Sequence, residues 1–337
     1  MTARGAESPS GSVVLVMNPR SGGGKVSRFG LVPRAERLGG QVRLTSRDHT
    51  AAALARLAVQ NGADVLGVAG GDGTVAAVAA VAADTDRPLV VIPAGTRNHF
   101  ARDLGLDINH PARALTALVD AEPVRVDLGV VGSQVFVNNV SFGFYAEALL
   151  EPGYREAKAR SFASVAPQYL EGQQWVPASL AAPEETIERP QVVLVSNNQY
   201  HLRTLRSLGR RFSLSSGLLD VVVIKRPADP PPLPDLLPRM RHELRQQGST
   251  GSPSAGVVTW SAPQVELDEL DGEVARLPAG IDGEPVMLNL PVRCLIRPGA
   301  LRVLLPTHRP GLPEPPTTTA RRTPALRRHQ VRGDVPG

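Results

Sequence analysis

Three glycine-rich segments carry the residue types that bind phosphate groups. They read NPRSGGGK at 18–25, GGDGT at 70–74 and PAGTRN at 93–98. Glycine lets backbone N–H groups approach phosphate oxygens closely, and a helix that follows adds the favourable dipole of its N-terminus. Asp72 lies among those amides, where a carboxylate would repel phosphate unless it held Mg²⁺ directly or through water. Each segment alone could be a tight turn, but together they predict a nucleotide or phosphate site.

A strand–helix alternation predicts how these segments are positioned. Continuous apolar runs rich in β-branched residues indicate buried parallel strands, and Ala- and Leu-rich stretches with helical spacing separate them. Strands are predicted at 12–17, 41–44, 65–69 and 89–92, and helices at 51–60, 75–83 and 111–120. Because loops at the carboxyl ends of parallel strands line one crevice, the three glycine segments could share a single ligand site.

From about residue 124 the pattern changes to short β-rich runs separated by loops rich in Pro, Gly and Arg. This pattern predicts a second, mainly antiparallel β domain. Two stretches, 154–174 and 233–247, have the spacing of helices. Residues 1–11 and 307–337 have almost nothing to bury, and we expect both to be disordered.

The composition excludes several classes of protein. The 337-residue chain has a net charge of +5, and most of this excess lies in the last 31 residues, so we expect no nucleic-acid partner. The single cysteine, Cys294, excludes a disulfide framework and is expected in a core. The sequence has no apolar run long enough to span a bilayer and no signal-peptide pattern, which favours a cytoplasmic protein.

The spelling of the motifs excludes other nucleotide-binding folds. The first segment is no Walker A loop, because Pro19 stands at its first glycine position and Val26 follows Lys25. Gly71 to Ala76 fits G-x-G-x-x-A, but no acidic residue follows the next strand to bind a ribose hydroxyl, so a dinucleotide fold is not supported.

At these motifs the sequence resembles the diacylglycerol kinase catalytic-domain family of lipid kinases, over about residues 12–306. GGDGT alone is shared with NAD kinases and phosphofructokinases, whereas the PAGTxNxFARDLGL run from Pro93 is far more specific. The matching motifs are NPxSG at 18–22, GGDGT at 70–74, PAGTxNxFARDLG at 93–105, VNN at 137–139, VSNN at 195–198, IDGE at 281–284 and PGALRV at 298–303.

The resemblance implies an NAD kinase/diacylglycerol kinase-like fold: an α/β ATP-binding domain at 12–123 and a β-sandwich lipid-substrate domain at 124–299. It also implies a cleft between them and a last strand, 300–306, that returns to the first domain. Asp72 would act through Mg²⁺. The residues implied around ATP are Asn18, Pro19, Ser21, Gly22, Thr45, Gly70, Gly71, Asp72, Gly73, Thr74 and Thr96.

The resemblance further implies a general base in an Asp-Gly-Glu tripeptide, of which the chain has two. The copy at 271–273 lies in an acidic run typical of a solvated turn. The copy at 282–284 precedes Pro285, and its distance from the closing LRVLLP strand suits the family. We therefore assign the base to Glu284.

One motif departs from the family pattern. A turn that usually reads Asp-Gly, and that holds a structural Mg²⁺ in some members, reads Ser-Ser-Gly-Leu at 215–218 here. The implied ligands would be Ser213, Ser216 and Leu218. Because a hydroxyl is a poor substitute for a carboxylate on Mg²⁺, Ser216 weakens the prediction of this second metal site.

The implied activity is transfer of the ATP γ-phosphoryl group to a hydroxyl of a membrane lipid such as diacylglycerol, at the membrane surface. Basic residues of the second domain could meet anionic headgroups or form an ordinary solvated face. They are Arg155, Lys158, Arg160, Arg203, Arg206, Arg210 and Arg211. The alternatives are an NAD kinase-like enzyme with a soluble substrate and an inactive nucleotide- or lipid-binding regulator.

Overall fold

The structure is a computed structural model that describes residues 11–143, 174–200, 210–211, 213–225, 256–270, 272 and 274–308. The helices predicted at 154–174 and 233–247 lie outside the described residues, apart from Gln174. Residues 1–10 and most of the 307–337 tail also lie outside them.

The described residues form sixteen strands and five α-helices. The strands are β1 (Val13–Met17), β2 (Gln41–Leu44), β3 (Val65–Gly70), β4 (Leu89–Pro93), β5 (Ala121–Val131), β6 (Gln134–Phe136), β7 (Asn139–Gly143), β8 (Ala178–Ala181), β9 (Thr186–Glu188), β10 (Val192–Asn197), β11 (Leu219–Ile224), β12 (Val257–Ala262), β13 (Gln264–Glu269), β14 (Arg276–Ile281), β15 (Glu284–Asn289) and β16 (Val292–Pro306). The helices are α1 (Lys25–Arg28), α2 (Leu31–Arg37), α3 (Ala51–Gln60), α4 (Asp72–Asp84) and α5 (His99–Asp103).

The first part of the chain is the predicted α/β layer, which we call the α/β region. Strands β1 to β4 lie parallel in the order β2-β1-β3-β4, and the helices pack on them. β1, β3 and β4 are buried along their whole lengths, as their β-branched runs predict. The segment at 111–120 forms a 3-10 helix at Pro111–Leu118 instead of an α-helix.

The second part is a β-sandwich, which we call the sandwich region. One of its layers is a six-stranded antiparallel sheet in the order β12-β11-β10-β7-β14-β15. It faces β13, β8 and the N-terminal part of β16, which belong to the same ten-stranded sheet as the α/β strands. Phe136, Phe142 and Cys294 lie in the core between the layers. Both predicted fold types are confirmed.

Two long strands join the regions without a linker. β5 and β16 pair antiparallel from Cys294–Val131 to Pro306–Ala121. The C-terminal part of β16 also pairs parallel with β4, and its N-terminal part pairs antiparallel with β13. The boundaries expected at 123/124 and 299/300 therefore fall inside β5 and β16. Across the described ranges no helix has the length and apolar character that crossing a membrane requires.

Candidate nucleotide and phosphoryl-transfer site

The three glycine segments follow β1, β3 and β4 and meet at one edge of the sheet. The N–H of Asn18 donates to Ala69 O at 2.8 Å, and Asn18 Nδ2 lies 3.5 Å from Thr74 Oγ1. The N–H of Ala94 donates to Gly70 O at 3.2 Å. These bonds join the first segment to the second and the second to the third.

The other residues expected around the nucleotide lie at the same edge. Pro19 and Ser21 follow Asn18, whose carbonyl accepts the N–H of Ser21 at 3.2 Å. Thr45 comes directly after β2, and its N–H donates to the end of β1 at 2.9 Å. Thr96 is an exposed residue of the third segment.

Contacts between glycines bring the segments close together. A Cβ atom at Gly95 would stand 2.3 Å from Gly71 Cα, and one at Gly22 would stand 2.5 Å from Ala94 O. Real Cβ atoms do not make such contacts with backbone. The approach of the three segments therefore requires residues without side chains at these points.

Asn98 shapes the third segment. Its φ of 54° is left-handed, a conformation that Asn adopts more readily than most residues. The buried side chain holds Gly95 at both ends, since Oδ1 accepts the Gly95 N–H at 2.7 Å and Nδ2 donates to Gly95 O at 2.9 Å. The sequence analysis named Asn98 only as part of a motif and gave it no role. An Asn directly before a short helix was the feature that could have indicated one.

Helix α4 begins inside the second segment, at Asp72. Apolar spacing predicted its start at 75, because the Asp-Gly-Thr of its first turn has no apolar residue. The first N–H groups of a helix have no acceptor within the helix, so α4 presents donors at the edge where the segments meet.

The carboxylate of Asp72 joins the second segment to the third. Its Oδ2 accepts the N–H of His99 at 3.1 Å, and its Oδ1 accepts the N–H of Phe100 at 3.1 Å. These amides begin α5. Burial lowers the pKa of His99, while the Asp72 charge acts in the opposite direction.

Glu284 reaches the same edge from the sandwich region. It is the first residue of β15, which is an edge strand of the six-stranded sheet. A Cβ atom at Gly73 would stand 3.3 Å from Glu284 Cγ and 4.0 Å from its Oε1. The exposed Glu284 side chain therefore lies against the first turn of α4. In the competing tripeptide only Gly272 belongs to the described residues, so the choice between the two glutamates stays a prediction.

Asp282 fixes the turn before Glu284. Its carboxylate accepts backbone N–H groups from Val137 at 2.8 Å, Asn138 at 2.7 Å and Asn139 at 3.1 Å. Burial raises the pKa of Asp282 to about 7, the Asp72 charge adds to the rise, and the three N–H groups oppose it. Sequence reasoning quoted Asp282 in a motif but gave it no role, although an Asp-Gly turn between two strands was visible.

Comparison with known proteins identifies the family. A sequence model of the "Diacylglycerol kinase catalytic domain" matches residues 12–131. A Pseudomonas aeruginosa protein named "Probable lipid kinase YegS-like" is 30% identical over 312 residues, covering 90% of this chain and 97% of that protein. The chain belongs to the diacylglycerol kinase catalytic-domain family. This member of the family is therefore an ATP-dependent kinase.

Two more members of the family show similarity of different extent. A Mycobacterium tuberculosis "Diacylglycerol kinase" is 39% identical over 123 residues, which cover 35% of this chain and 40% of that protein. The crystal structure of a Bacillus anthracis diacylglycerol kinase has a TM-score of 0.58 at 19% identity, covering 88% of this chain and 97% of that chain. The second comparison shows a shared fold.

The residues of the three segments fit the nucleotide that the family uses. Close packing at Gly22 and Gly95 brings the three segments to one edge, where the first turn of α4 offers N–H donors. Within the described residues, no group of three or more His, Cys, Asp or Glu side chains could hold a metal ion. A Mg²⁺ ion at Asp72 would thus depend on phosphate oxygens and water, which is how proteins commonly bind it.

Hydrogen bonds within the protein close the turn at 213–218. Ser216 Oγ and the Ser216 N–H both donate to Asn198 Oδ1, at 2.5 and 2.7 Å. The N–H of Leu218 is directed at Ser216 Oγ at 3.3 Å, and Ser213 Oγ accepts another N–H of the turn. The hydroxyls that a structural ion would need are therefore already engaged.

Asp127 of β5 also binds this turn through a backbone N–H group. Its Oδ2 accepts the N–H of Gly217 and its Oδ1 accepts the N–H of Gly299, both at 2.7 Å. The side chain is buried. Because Ser216 contributes only a hydroxyl where the family pattern has a carboxylate, the donor set does not fit a structural Mg²⁺ site.

The structure overturns one predicted membrane contact. The Arg211 side chain is fully buried, and its Nε lies 2.7 Å from Asp103 Oδ2. The expectation that Arg211 could meet lipid headgroups is therefore wrong. Arg210 is half-buried. The other basic residues proposed for this contact lie outside the described residues: Arg155, Lys158, Arg160, Arg203 and Arg206.

Proposed function

We propose that the protein transfers the γ-phosphoryl group of ATP to a hydroxyl of a membrane lipid at the membrane surface, with Glu284 as general base. The observation that carries this proposal is the position of Glu284 beside Gly73. It places an exposed carboxylate of the sandwich region beside the helix turn that would face the phosphates. A base in that position is within reach of a hydroxyl directed at the γ-phosphate.

The side chains and amides of the chain have separate roles in this reaction. The N–H groups at the start of α4 bind phosphate oxygens, and Glu284 takes the proton from the acceptor hydroxyl. Asp72 and the nucleotide together would hold Mg²⁺, which supplies charge neutralisation on the phosphates. Phosphoryl transfer needs little covalent chemistry from the protein, so the spacing between Glu284 and α4 governs the rate.

The outer face of the six-stranded sheet supports an amphiphilic acceptor. Core residues such as Val195 and Val221 point inward, so their strand neighbours point outward. Strand register aligns these outward side chains in rows across the sheet. The row that leads to Asp282 is polar throughout: Asn139, Ser196, Asp220 and Ser261.

The next rows become more apolar with distance from Asp282. The second row, about 7 Å along the strands, contains Ser141, Leu194, Val222 and Thr259. The third row contains Gly143, Val192, Ile224 and Val257. The change from polar to apolar along these rows would match a lipid whose hydroxyl end lies at Glu284. The names of the two bacterial relatives, a lipid kinase and a diacylglycerol kinase, agree with this choice.

The test is a phosphorylation assay with a matched pair of variants. Purified protein is incubated with γ-³²P-ATP, Mg²⁺ and either total lipid extract or diacylglycerol vesicles, and the lipids are separated by thin-layer chromatography. We expect a labelled lipid with the wild type and a loss of about 10²–10⁴-fold with Glu284→Gln. Glu273→Gln, in the other Asp-Gly-Glu, should keep full activity.

Three other results would contradict the proposal in different ways. A loss with Glu273→Gln in place of Glu284→Gln would move the base to the first tripeptide. Label found in NAD and absent from lipid would establish a soluble substrate. Bound ATP without any labelled product would indicate a regulator that does not catalyse transfer.

A further inference from the structure

The short helix α5 is tied at its two ends to the two sides of the site. At its N-terminus, the amides of His99 and Phe100 donate to Asp72 in the second glycine segment. At its C-terminus, Asp103 pairs with Arg211. A displacement of α5 would therefore move both the second glycine segment and Arg211 with its hydrogen-bond partners.

Arg211 holds the strand ends of the sandwich region. Its Nη1 donates to the carbonyls of Val137 and Asn197, the latter at 3.1 Å, and its Nη2 donates to Asn138 Oδ1 at 3.0 Å. The guanidinium also lies over the rings of Phe100 and Tyr200, at 5.8 and 6.0 Å from their centres. One planar group thus joins α5 to two segments of the sandwich region.

Arg211 and Asp282 both bind the 137–139 segment. Asp282 belongs to the turn that precedes Glu284. Arg211 bonds the carbonyl of Val137 and the side chain of Asn138, while the N–H groups of 137–139 bond Asp282. Asp282 lies two residues before Glu284, which lies against Gly73 beside Asp72. The contacts form a closed path from Asp72 through α5, Arg211 and Asp282 back to Gly73.

The chemistry of the pair indicates a geometric role. Burying an ion pair costs desolvation, and apolar residues of similar volume often give equal or greater stability. Asp103 Oδ1 is buried and has no hydrogen-bond partner among the described residues, so the pair is not optimised for stability. A planar fork that serves several acceptors at fixed angles is a property of arginine that neither lysine nor an apolar residue reproduces.

We propose that Arg211 is a positioning residue that sets the distance between Glu284 and the nucleotide segments through α5 and the 137–139 segment. This inference rests on the proposed role of Glu284. It gives Arg211 a function at the reaction centre although its side chain touches neither Glu284 nor the glycine segments.

Arg211→Lys tests the proposal because it keeps the charge and loses the fork. We expect kcat to fall about 100-fold, the effect of a displacement of about 1 Å at a reacting group, while the KM for ATP stays within about twofold. The matched control is Arg293→Lys, in the exposed pair with Glu266 at 2.9 Å, which should leave both constants unchanged. A proportionate rise in the KM for ATP with unchanged kcat would overturn the proposal.

A double variant separates positioning of Glu284 from general support of the fold. If Arg211 acts through Glu284, adding Arg211→Lys to Glu284→Gln should cause no further loss, because the base that it positions is already absent. Multiplied losses would show that Arg211 acts elsewhere, and the proposal would fail.

A milder variant keeps the test decisive if Arg211→Lys does not fold. Asn138→Ala removes one acceptor of Arg211 and keeps the backbone N–H that holds Asp282, so we expect a loss of about 10-fold in kcat alone. Unchanged kcat would count against the proposal.

Hydrogen exchange gives a readout that does not depend on a lipid product. The amides of 137–139 should exchange faster in either variant than in the wild type, and those of β3 should not change. Unchanged exchange at 137–139 would overturn the positioning role. Failure of the wild type to label any lipid would instead overturn the proposed function, so the two failures can be told apart.

Discussion

The two sides of the site differ in what allows their closest approaches. On the α/β side Asp72 and Asn98 also accept backbone N–H groups, but the segments come closest where side chains are missing, as at Gly95 against Gly71 and Gly22 against Ala94. On the sandwich side the turns are held by side chains whose oxygens accept backbone N–H groups. Asp282 accepts three of these and Asp127 accepts two.

This difference follows from what each side must leave available. The amides at the start of α4 can bind phosphate only if the protein does not use them itself, so the glycine segments pack through Cα atoms and carbonyls. The amides at 137–139, Gly217 and Gly299 donate to carboxylates of the protein, because N–H groups removed from water need acceptors. An added methyl group should therefore damage the first side most, and a lost carboxylate the second.

The largest effect should come from Gly95→Ala. The new Cβ would stand 2.3 Å from Gly71 Cα, and neither backbone can move without displacing a glycine segment. We expect ATP affinity to fall more than about 100-fold and the free energy of unfolding to fall by about 3 kcal/mol or more. Nucleotide titration and urea unfolding would measure the two effects.

The control for that change is Gly71→Ala, whose Cβ would have its nearest contact at 3.6 Å, with φ at −86°. Its stability to urea should stay within about 1 kcal/mol of the wild type. Equal destabilisation by the two alanines would remove steric contact as the explanation for the α/β side.

Asp127→Asn should have the next largest effect. An amide can accept only through its oxygen, so one of the N–H groups of Gly217 and Gly299 would face an NH₂ group and lose its acceptor. We expect a loss of about 3 kcal/mol in the free energy of unfolding. Asp84→Asn, in the exposed pair with Arg297, should change it by less than about 1 kcal/mol. Similar values for both would show that carboxylates do not hold the sandwich turns.

Asp220→Asn should have the smallest effect, with the opposite sign. Asp220 is buried and its Oδ2 has no partner among the described residues, so burial raises its pKa to about 6. In the wild type the favourable neutral form is present at pH 4, and its contribution is lost as the pH rises through about 6. The variant should match the wild type at pH 4 and exceed it by about 2 kcal/mol at pH 7.

Thermal unfolding between pH 4 and pH 7 would measure this difference. A variant that is less stable than the wild type at pH 7 would mean that Asp220, like Asp127, contributes as a charged acceptor. The distinction between the two aspartates would then disappear.

Sequence patterns captured the local parts of this molecule. The apolar runs at 65–69 and 89–92 predicted β3 and β4 because a buried parallel strand needs continuous apolar residues. Motif spelling singled out Asp72 and Glu284, which the structure brings to the same edge and whose roles stay predictions. The closeness of Glu284 to Gly73 could not be predicted from physical pattern, since it depends on where the turn between β14 and β15 lies relative to α4.

Two residues show why charge alone was a poor guide. Arg211 lies in a run of basic residues that has the composition of a solvated face, and its burial depends on Asp103, 108 residues away in sequence. Asp282 lies two residues before the predicted base, Glu284, and was given no role of its own. Its three N–H partners come from a segment about 144 residues earlier, where no local pattern marks them.

The central position of β16 has a consequence for how the chain folds during synthesis. This strand is the last of the described elements to be made, yet it lies between β4 and β13 and pairs along its length with β5. Until it leaves the ribosome, β4 and β13 each present an unpaired edge that can associate with another chain. Before that moment, neither the strands on the β4 side nor those on the β13 side can complete the ten-stranded sheet. Both sets of strands therefore depend on the same fifteen residues, Val292–Pro306.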